Sequence, residues 1–231
     1  MCARFSLSSP IEALRNLFQL SGSPNLRASY NIAPTNTVFA LRLASNTNEE
    51  MQHFMPQWGL IPSWSKDGSN SGSLINARSE TVSSKPSFRS AFKSRRCLIP
   101  ANGFFEWMKT KDGSKQPYFI QGNDQPIFAF AGLWETWNNH EGEQIESCTI
   151  LTQAADETSS HIHHRIPVTV NPNFHKSWLT GIDIASLPPL AQQASFSYYP
   201  VHKRVGKVRE NDADLIKQIE ISDVPVQGSL F

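Results

Sequence analysis

The sequence predicts one α+β domain built on a mostly antiparallel, partly closed β-sheet with peripheral helices. Three observations lead there. Residues 97–137 hold apolar, aromatic-rich runs separated by short Gly/Asp/Asn turns, the pattern of a β-meander. Helical periodicity is confined to short segments, and neither an internal repeat nor a separating linker divides the 231 residues.

Taken in order, Ser9-Pro10-Ile11-Glu12 reads as a capping serine, a proline at the first helical position and a glutamate three after the cap. Ile11, Leu14, Leu17 and Phe18 then recur at helical spacing until Gly22. Thr37–Leu43 and Met51–Trp58 read as a hairpin, and Lys66–Ser73 as a loop rich in Gly, Ser and Asn. A helical segment at Phe88–Lys93 precedes strands at Cys97–Lys109, Pro117–Gln121 and Ile127–Trp137. Further strands are expected at Ile145–Thr152, Pro167–Val170 and Phe196–Val201. Asn171-Pro172 caps a short helix carrying Phe174 and Trp178, and Leu187–Ala194 offers another.

Hydrophobic residues at 39% and charged residues at 18% mark a globular chain and exclude a disordered one. A net charge of +1 gives no global attraction to nucleic acid, so any polyanion site must be a local patch. The three cysteines, at 2, 97 and 148, are odd in number and far apart, which offers neither a disulfide framework nor a CxxC metal site. No signal-peptide pattern and no apolar run of membrane length is present, so a cytoplasmic monomer with no membrane partner is expected.

Cys2 is the most informative residue. If Met1 is removed, the chain starts with an α-amine and a thiol on one residue. Such a 1,2-aminothiol condenses with an aldehyde, first to a Schiff base and then, by attack of sulfur on the imine carbon, to a thiazolidine. Ordinary values near ~7.7–8.0 for the amine and ~8.5 for the thiol populate both reactive forms near neutral pH. By position alone, the favoured description of Cys2 is a small apolar residue on a first strand, and the six motifs below reverse it. Glu106 stands among aromatics in Phe104-Phe105-Glu106-Trp107, where burial would raise its pKa and suit it to giving and taking a proton, although a solvent-facing carboxylate is the alternative. His163, within His161-Ile162-His163-His164-Arg165-Ile166-Pro167, reads as an acid/base histidine and not a metal ligand, because no well-spaced further ligands accompany it. No metal or cofactor is expected. Asn76 can hydrogen-bond a substrate oxygen and Arg78 can fork onto a phosphate.

Six ordered segments together resemble one family. They are Cys2-Ala3-Arg4-Phe5, Tyr30-Asn31-Ile32-Ala33-Pro34, Trp58-Gly59-Leu60-Ile61-Pro62, Asn76-Ala77-Arg78-Ser79-Glu80-Thr81, Pro100–Trp107 and Ile162–Pro167. Their order and spacing are similar to those of the SRAP family, the SOS-response-associated peptidases, understood as abasic-site processing proteins. The resemblance covers residues 2–214 and implies a pseudo-barrel β fold whose site crosslinks to abasic sites in single-stranded DNA. It implies Cys2 as the crosslinking residue, Asn76 as its polar partner, Glu106 and His163 as the acid/base pair, and Arg4 and Arg78 as phosphate ligands, with Asn31 and Pro34 also against DNA. Two positions depart from the family pattern: Ala3 replaces the usual glycine, and Ser65 follows Trp64 where a second tryptophan often stands.

For strand binding, Lys203, Arg204 and Arg209, with Arg95, Arg96 and Lys207, supply positive charge, and Trp64, Phe88 and Phe92 supply surfaces for stacking. Two other classes use the same residues: an N-terminal-nucleophile cysteine hydrolase, and a non-catalytic single-strand-binding adaptor. Residues 215–231 are expected to form a flexible tail. Within it Gln227-Gly228-Ser229-Leu230-Phe231 resembles the pentapeptide with which bacterial proteins dock on the DNA sliding clamp, Gln227 anchoring through its amide and Leu230-Phe231 filling an apolar pocket.

Overall fold

The structure is a computed structural model and describes residues 2–22, 24–44, 50–68, 72–110, 112–123, 125–155, 160, 163–182 and 196–221. The expected helix at 187–194 and the clamp-like residues Gln227, Leu230 and Phe231 lie outside the described residues.

The strands are β1 (Phe5–Leu7), β2 (Ser29–Ile32), β3 (Ala40–Leu43), β4 (Met51–Phe54), β5 (Gln57–Trp58), β6 (Asn76–Arg78) and β7 (Arg96–Ala101). They continue with β8 (Gly103–Lys109), β9 (Lys115–Gly122), β10 (Phe128–Asn138), β11 (Gln144–Ala154), β12 (Arg165–Pro167), β13 (Thr169–Val170) and β14 (Phe196–Pro200). The helices are short: α1 (Ile11–Phe18), α2 (Arg89–Ser94) and α3 (His175–Thr180).

A five-stranded sheet runs β14-β9-β8-β1-β2, and a larger one runs β12-β11-β10-β7-β3-β4, with β13 on β10 and with β5 and β6 on β11. The α+β class and the mostly antiparallel pairing hold, but the expected meander does not: β7 pairs with β10 in the larger sheet while β8 pairs with β9 in the smaller, and each sheet ends in free edges, so neither closes into a barrel. Among the described residues, only β5 and β6 run parallel to their neighbour, β11.

The single strand expected over 97–109 is two strands in different sheets, broken at Asn102. The Asn102 side chain makes this corner. Its Oδ1 accepts the Ser8 and Ser9 backbone N–H groups at 2.7 and 3.0 Å, and its Nδ2 donates to Ser9 Oγ and to the Pro126 carbonyl at 2.7 and 2.6 Å. Ser9 is thereby diverted from the capping role expected of it, and the N-cap of α1 is Pro10, with no side-chain cap. The next residue must be glycine, because a Cβ on Gly103 would fall 2.2 Å from the Phe119 ring and 2.7 Å from the Ile120 carbonyl oxygen. Helix α1 also stops before Gly22, at Gln19, which adopts the left-handed conformation and donates its N–H to the Arg15 carbonyl.

The main core lies under both sheets and contains Phe5, Trp58, Leu98, Phe104, Phe130 and Trp178. A second cluster joins Phe105 and Phe119 to Val201, Val205 and Leu215. Burying each large side chain contributes roughly 1.5–3 kcal/mol, so both clusters are structural necessities. The second extends the folded domain beyond the boundary expected at 214: Leu215 is fully buried, and the Ile219 N–H reaches the Pro200 carbonyl at 3.0 Å.

Candidate active site

The site starts from the two-residue period of a strand. On β8, Phe105 and Trp107 pack on the second core while Phe104 enters the main one. Glu106 shares the Phe104 face and is 4% exposed, so the solvent-facing alternative is excluded. Antiparallel pairing sets Phe5 opposite Phe104, and the Phe105 N–H donates to the Arg4 carbonyl at 2.9 Å. Continuing that register brings Glu106 across from Ala3, one residue from Cys2.

Cys2 is fully buried. Its Sγ lies 3.8 Å from the Arg4 carbonyl oxygen, a weak thiol hydrogen bond. Burial, and after it the negative charge of Glu106, pushes the thiol far above its ordinary range. Sequence reading placed this thiol in its ordinary range; burial moves it upward, so its reaction calls for a proton acceptor. Burial likewise raises the Glu106 carboxyl above its usual range, with His164 among the positive groups that oppose the shift.

Asn76 comes from β6, where buried Ala77 anchors the strand and leaves Asn76 and Arg78 on the opposite face. Asn76 Nδ2 donates to the Cys2 carbonyl at 2.8 Å. Its Oδ1 is buried with no partner among the described residues, as is Arg4 Nε. Such unsatisfied atoms are uncommon in folded chains and suit a ligand. The motif segments also interlock: Phe5 packs edge-on against Trp58 at 5.2 Å, and the Trp58 indole N–H donates to the Ile75 carbonyl at 2.9 Å, next to Asn76.

His163 precedes β12. Its Nδ1 lies 3.0 Å from both the Arg165 N–H and the Arg165 carbonyl oxygen. One neighbour donates to an unprotonated Nδ1 and the other accepts from a protonated one, so the ring is held in either state. Its pKa is lowered, chiefly by burial.

Sequence reading missed the part that joins these pieces. Arg165 is 8% exposed and forks onto Glu80, Nη1 to Oε1 at 3.1 Å and Nη2 to Oε2 at 2.9 Å. It also donates to Thr152 Oγ1 and to the Thr152 carbonyl at 3.2 and 2.7 Å. Both residues stood inside quoted motifs. The available signal was a charged pair of opposite sign in two motifs that share a site.

The residues expected at DNA separate into two groups. Trp64 is 60% exposed, and Arg78, Lys203 and Arg209 are exposed without an ion pair among the described residues. Pro34 is half-buried in a turn in which the Ala33 N–H donates to Asn36 Oδ1 at 2.9 Å. The others are corrected. Phe88 belongs to the main core, and Phe92 packs against it with its ring face covered by the Arg96 guanidinium at 4.3 Å. Arg96 is itself buried and donates to the Phe92 and Ile182 carbonyls at 2.9 and 2.5 Å, while Arg95 pairs with Glu135 at 2.8 Å. Arg204 is neutralised by Glu210 and Asp212. Asn31 is 3% exposed with both ends of its amide engaged, to Arg4, Lys207 and Glu210. Arg4 is half-buried, and one guanidinium nitrogen is committed to Asn31 and Val205.

Comparison with known proteins places this geometry. The family model described as SOS response associated peptidase (SRAP) matches residues 1–208. The chain is 34% identical over 226 residues to "Abasic site processing protein YoaM" of Bacillus subtilis (strain 168), covering 94% of this chain and 97% of that one. It is 32% identical over 236 residues to "Abasic site processing protein YedK" of Escherichia coli (strain K12), covering 95% and 100%. A crystal structure of a Bacteroides thetaiotaomicron protein superposes with a TM-score of 0.82 at 24% identity, covering 95% of this chain and all of that one, a likeness of fold. By the extent of the family match and by these relatives, the chain belongs to the SOS response associated peptidase (SRAP) family.

Proposed function

We propose that this protein processes abasic sites in single-stranded DNA by forming a covalent thiazolidine on Cys2. The observation that carries the reading is the Asn76 hydrogen bond to the Cys2 carbonyl, 2.8 Å long, beside the inward-facing Glu106. Family membership and the relatives' names supply the substrate class.

Once Met1 is lost, the Cys2 amine adds to the C1′ aldehyde of the ring-opened deoxyribose and water leaves, giving a Schiff base. The sulfur then bonds to the imine carbon, the thiol proton leaves, and the imine nitrogen gains a proton to become the ring amine. Because burial holds the thiol protonated, Glu106 serves as acceptor and returns the proton to nitrogen. His163, held by the Arg165 backbone in either protonation state, assists opening of the closed sugar. Asn76 orients the Cys2 backbone and leaves its buried Oδ1 for a sugar hydroxyl. Orientation supplies the larger advantage, since well-aligned groups reach effective molarities of about 10⁵ M. A Schiff base that persists before sulfur attack would lose its 2′ proton and expel the 3′ phosphate, cleaving the strand, so lyase activity is a side reaction of the same site. Docking on the sliding clamp through Gln227, Leu230 and Phe231 would concentrate the domain at gaps.

The test is a single-stranded uracil oligonucleotide treated with a uracil glycosylase and mixed with purified protein without borohydride. A heat-stable protein–DNA band is expected from wild type and none from Cys2→Ala. A band that survives in Cys2→Ala rejects the thiazolidine. A hydrolase or a simple adaptor gives no band with either.

A further inference from the structure

The residues removed from the DNA surface leave a question about Asn31 and Arg4. Asn31 lies on β2 and Arg4 immediately precedes β1, the neighbouring strand of the smaller sheet, and both point polar atoms at one segment, residues 203–212. Asn31 Nδ2 donates to the Lys207 and Glu210 carbonyls at 3.1 and 2.7 Å, and Arg4 Nη1 donates to the Val205 carbonyl at 2.9 Å while also bonding Asn31 Oδ1 at 2.8 Å. Asn211 closes the same seam from the other side, its Oδ1 accepting the Tyr30 N–H at 2.7 Å. Val205 and Leu215 plug the segment into the second core. The segment is thus latched along β2, an edge strand of the sheet.

What the latched segment displays is positive. It carries four cations, Lys203, Arg204, Lys207 and Arg209, against the carboxylates of Glu210 and Asp212, and Arg204 absorbs both carboxylates. Lys203, Lys207 and Arg209 are left exposed, with no ion pair among the described residues. Exposed cations are normally interchangeable with solvent, yet these three stand in a segment whose Val205, Lys207 and Glu210 carbonyls accept bonds from Arg4 and Asn31, one arginine side chain from the strand that follows Cys2.

We infer that Asn31, with Arg4, is a positioning residue that holds a phosphate-binding ridge formed by Lys203, Lys207 and Arg209 beside the Cys2 site. The partner is the phosphodiester backbone of the bound single strand, and the inference rests on the DNA reading above. Asn31 touches no DNA itself.

The experiment measures binding of a fluorescently labelled, undamaged single-stranded oligonucleotide across a salt series, using full-length wild type, Asn31→Asp, the triple variant Lys203→Ala/Lys207→Ala/Arg209→Ala, and their combination. Asn31→Asp keeps the acceptor for Arg4 and loses the donors to the two carbonyls. With about 0.7 of slope per phosphate contact on single strands, the triple variant is expected to lower the log–log salt slope by about 2 and Asn31→Asp by about 1 or more. Asn31→Asp should weaken binding at least fivefold in wild type and by less than twofold on the triple background, because it acts only through those cations. Reaction of Cys2 with a small soluble aldehyde should be unchanged in every variant. A wild-type slope for Asn31→Asp, equal weakening on both backgrounds, or loss of the small-aldehyde reaction would each overturn the inference. The triple variant changes only exposed side chains, so an unchanged slope for it overturns the ridge even if Asn31→Asp misfolds. Wild type that binds no single strand refutes the functional reading itself, a result distinct from these.

Discussion

Arg165 forks onto Glu80 with both terminal nitrogens, at 3.1 and 2.9 Å, across 85 residues of sequence. The pair ties the loop after β6, which carries Asn76, to the start of β12, which His163 precedes. Because Arg165 is buried and Glu80 half-exposed, the bond matters more for the arginine than for the carboxylate. Removing Glu80 leaves a buried cation with one carboxylate fewer and only Thr152 to satisfy it.

Glu80→Ala is expected to destabilise the fold by about 1–3 kcal/mol, below the range for a fully buried pair because solvent already screens the carboxylate. Denaturant unfolding measures it. The Glu80 pKa is depressed, chiefly by the Arg165 hydrogen bond, so the stabilisation is present above the ordinary glutamate pKa and is lost as pH falls through the lower folded value. Equal stability of variant and wild type at pH 7 would remove the clamp from the account.

Asn76→Ala should leave the melting temperature within a few degrees and slow crosslinking to abasic single-stranded DNA by about tenfold or more, the scale for a lost orienting hydrogen bond near reacting atoms. Binding of undamaged single strand should change little. A variant that crosslinks at the wild-type rate would reduce the contact with Cys2 to packing.

Glu106 titrates in the opposite sense from Glu80. Burial raises its folded pKa, so the folded state prefers the protonated acid. That preference stabilises the fold fully below the ordinary carboxylate value of about 4.3 and is lost as pH rises through the higher folded pKa. Glu106→Gln should therefore gain melting temperature relative to wild type as pH goes from 4 to 8, by roughly 2 °C or more, while crosslinking slows by about 10²-fold. A melting difference independent of pH would mean that the carboxylate is not desolvated.

Trp64 and Phe88 looked alike in sequence and should now behave differently. Trp64→Ala should weaken single-strand binding by about 1–3 kcal/mol, the value of one stacked base, without affecting stability. Phe88→Ala should cost about 3–5 kcal/mol of folding free energy and leave the intrinsic affinity of the folded protein unchanged. A calorimetric melt alongside a binding titration separates the two, and the reverse pattern would restore Phe88 to the DNA surface.

The sequence by itself determined the α+β class and which segments carry the strands of residues 97–137, because these rest on local patterns. Strand periodicity repeats every two residues, turn residues are self-sufficient, and Cys2, Asn76, Glu106 and His163 stood in motifs that can be read without knowing their neighbours. Tertiary structure decided which of two equivalent faces of a strand is inside. Nothing within β8 distinguishes the Phe104/Glu106 side from the Phe105/Trp107 side until Val201, Val205 and Leu215 cover the latter. It also decided the partner of each charge, since an arginine's nearest carboxylate in space is unrelated to its nearest in sequence. Arg165 found Glu80, Arg204 took Glu210 and Asp212, and Arg96 went inward to cap carbonyls. The burial that pushes the Cys2 thiol up is of the same kind: solvation is a property of the packed chain, and no local pattern of residues encodes it.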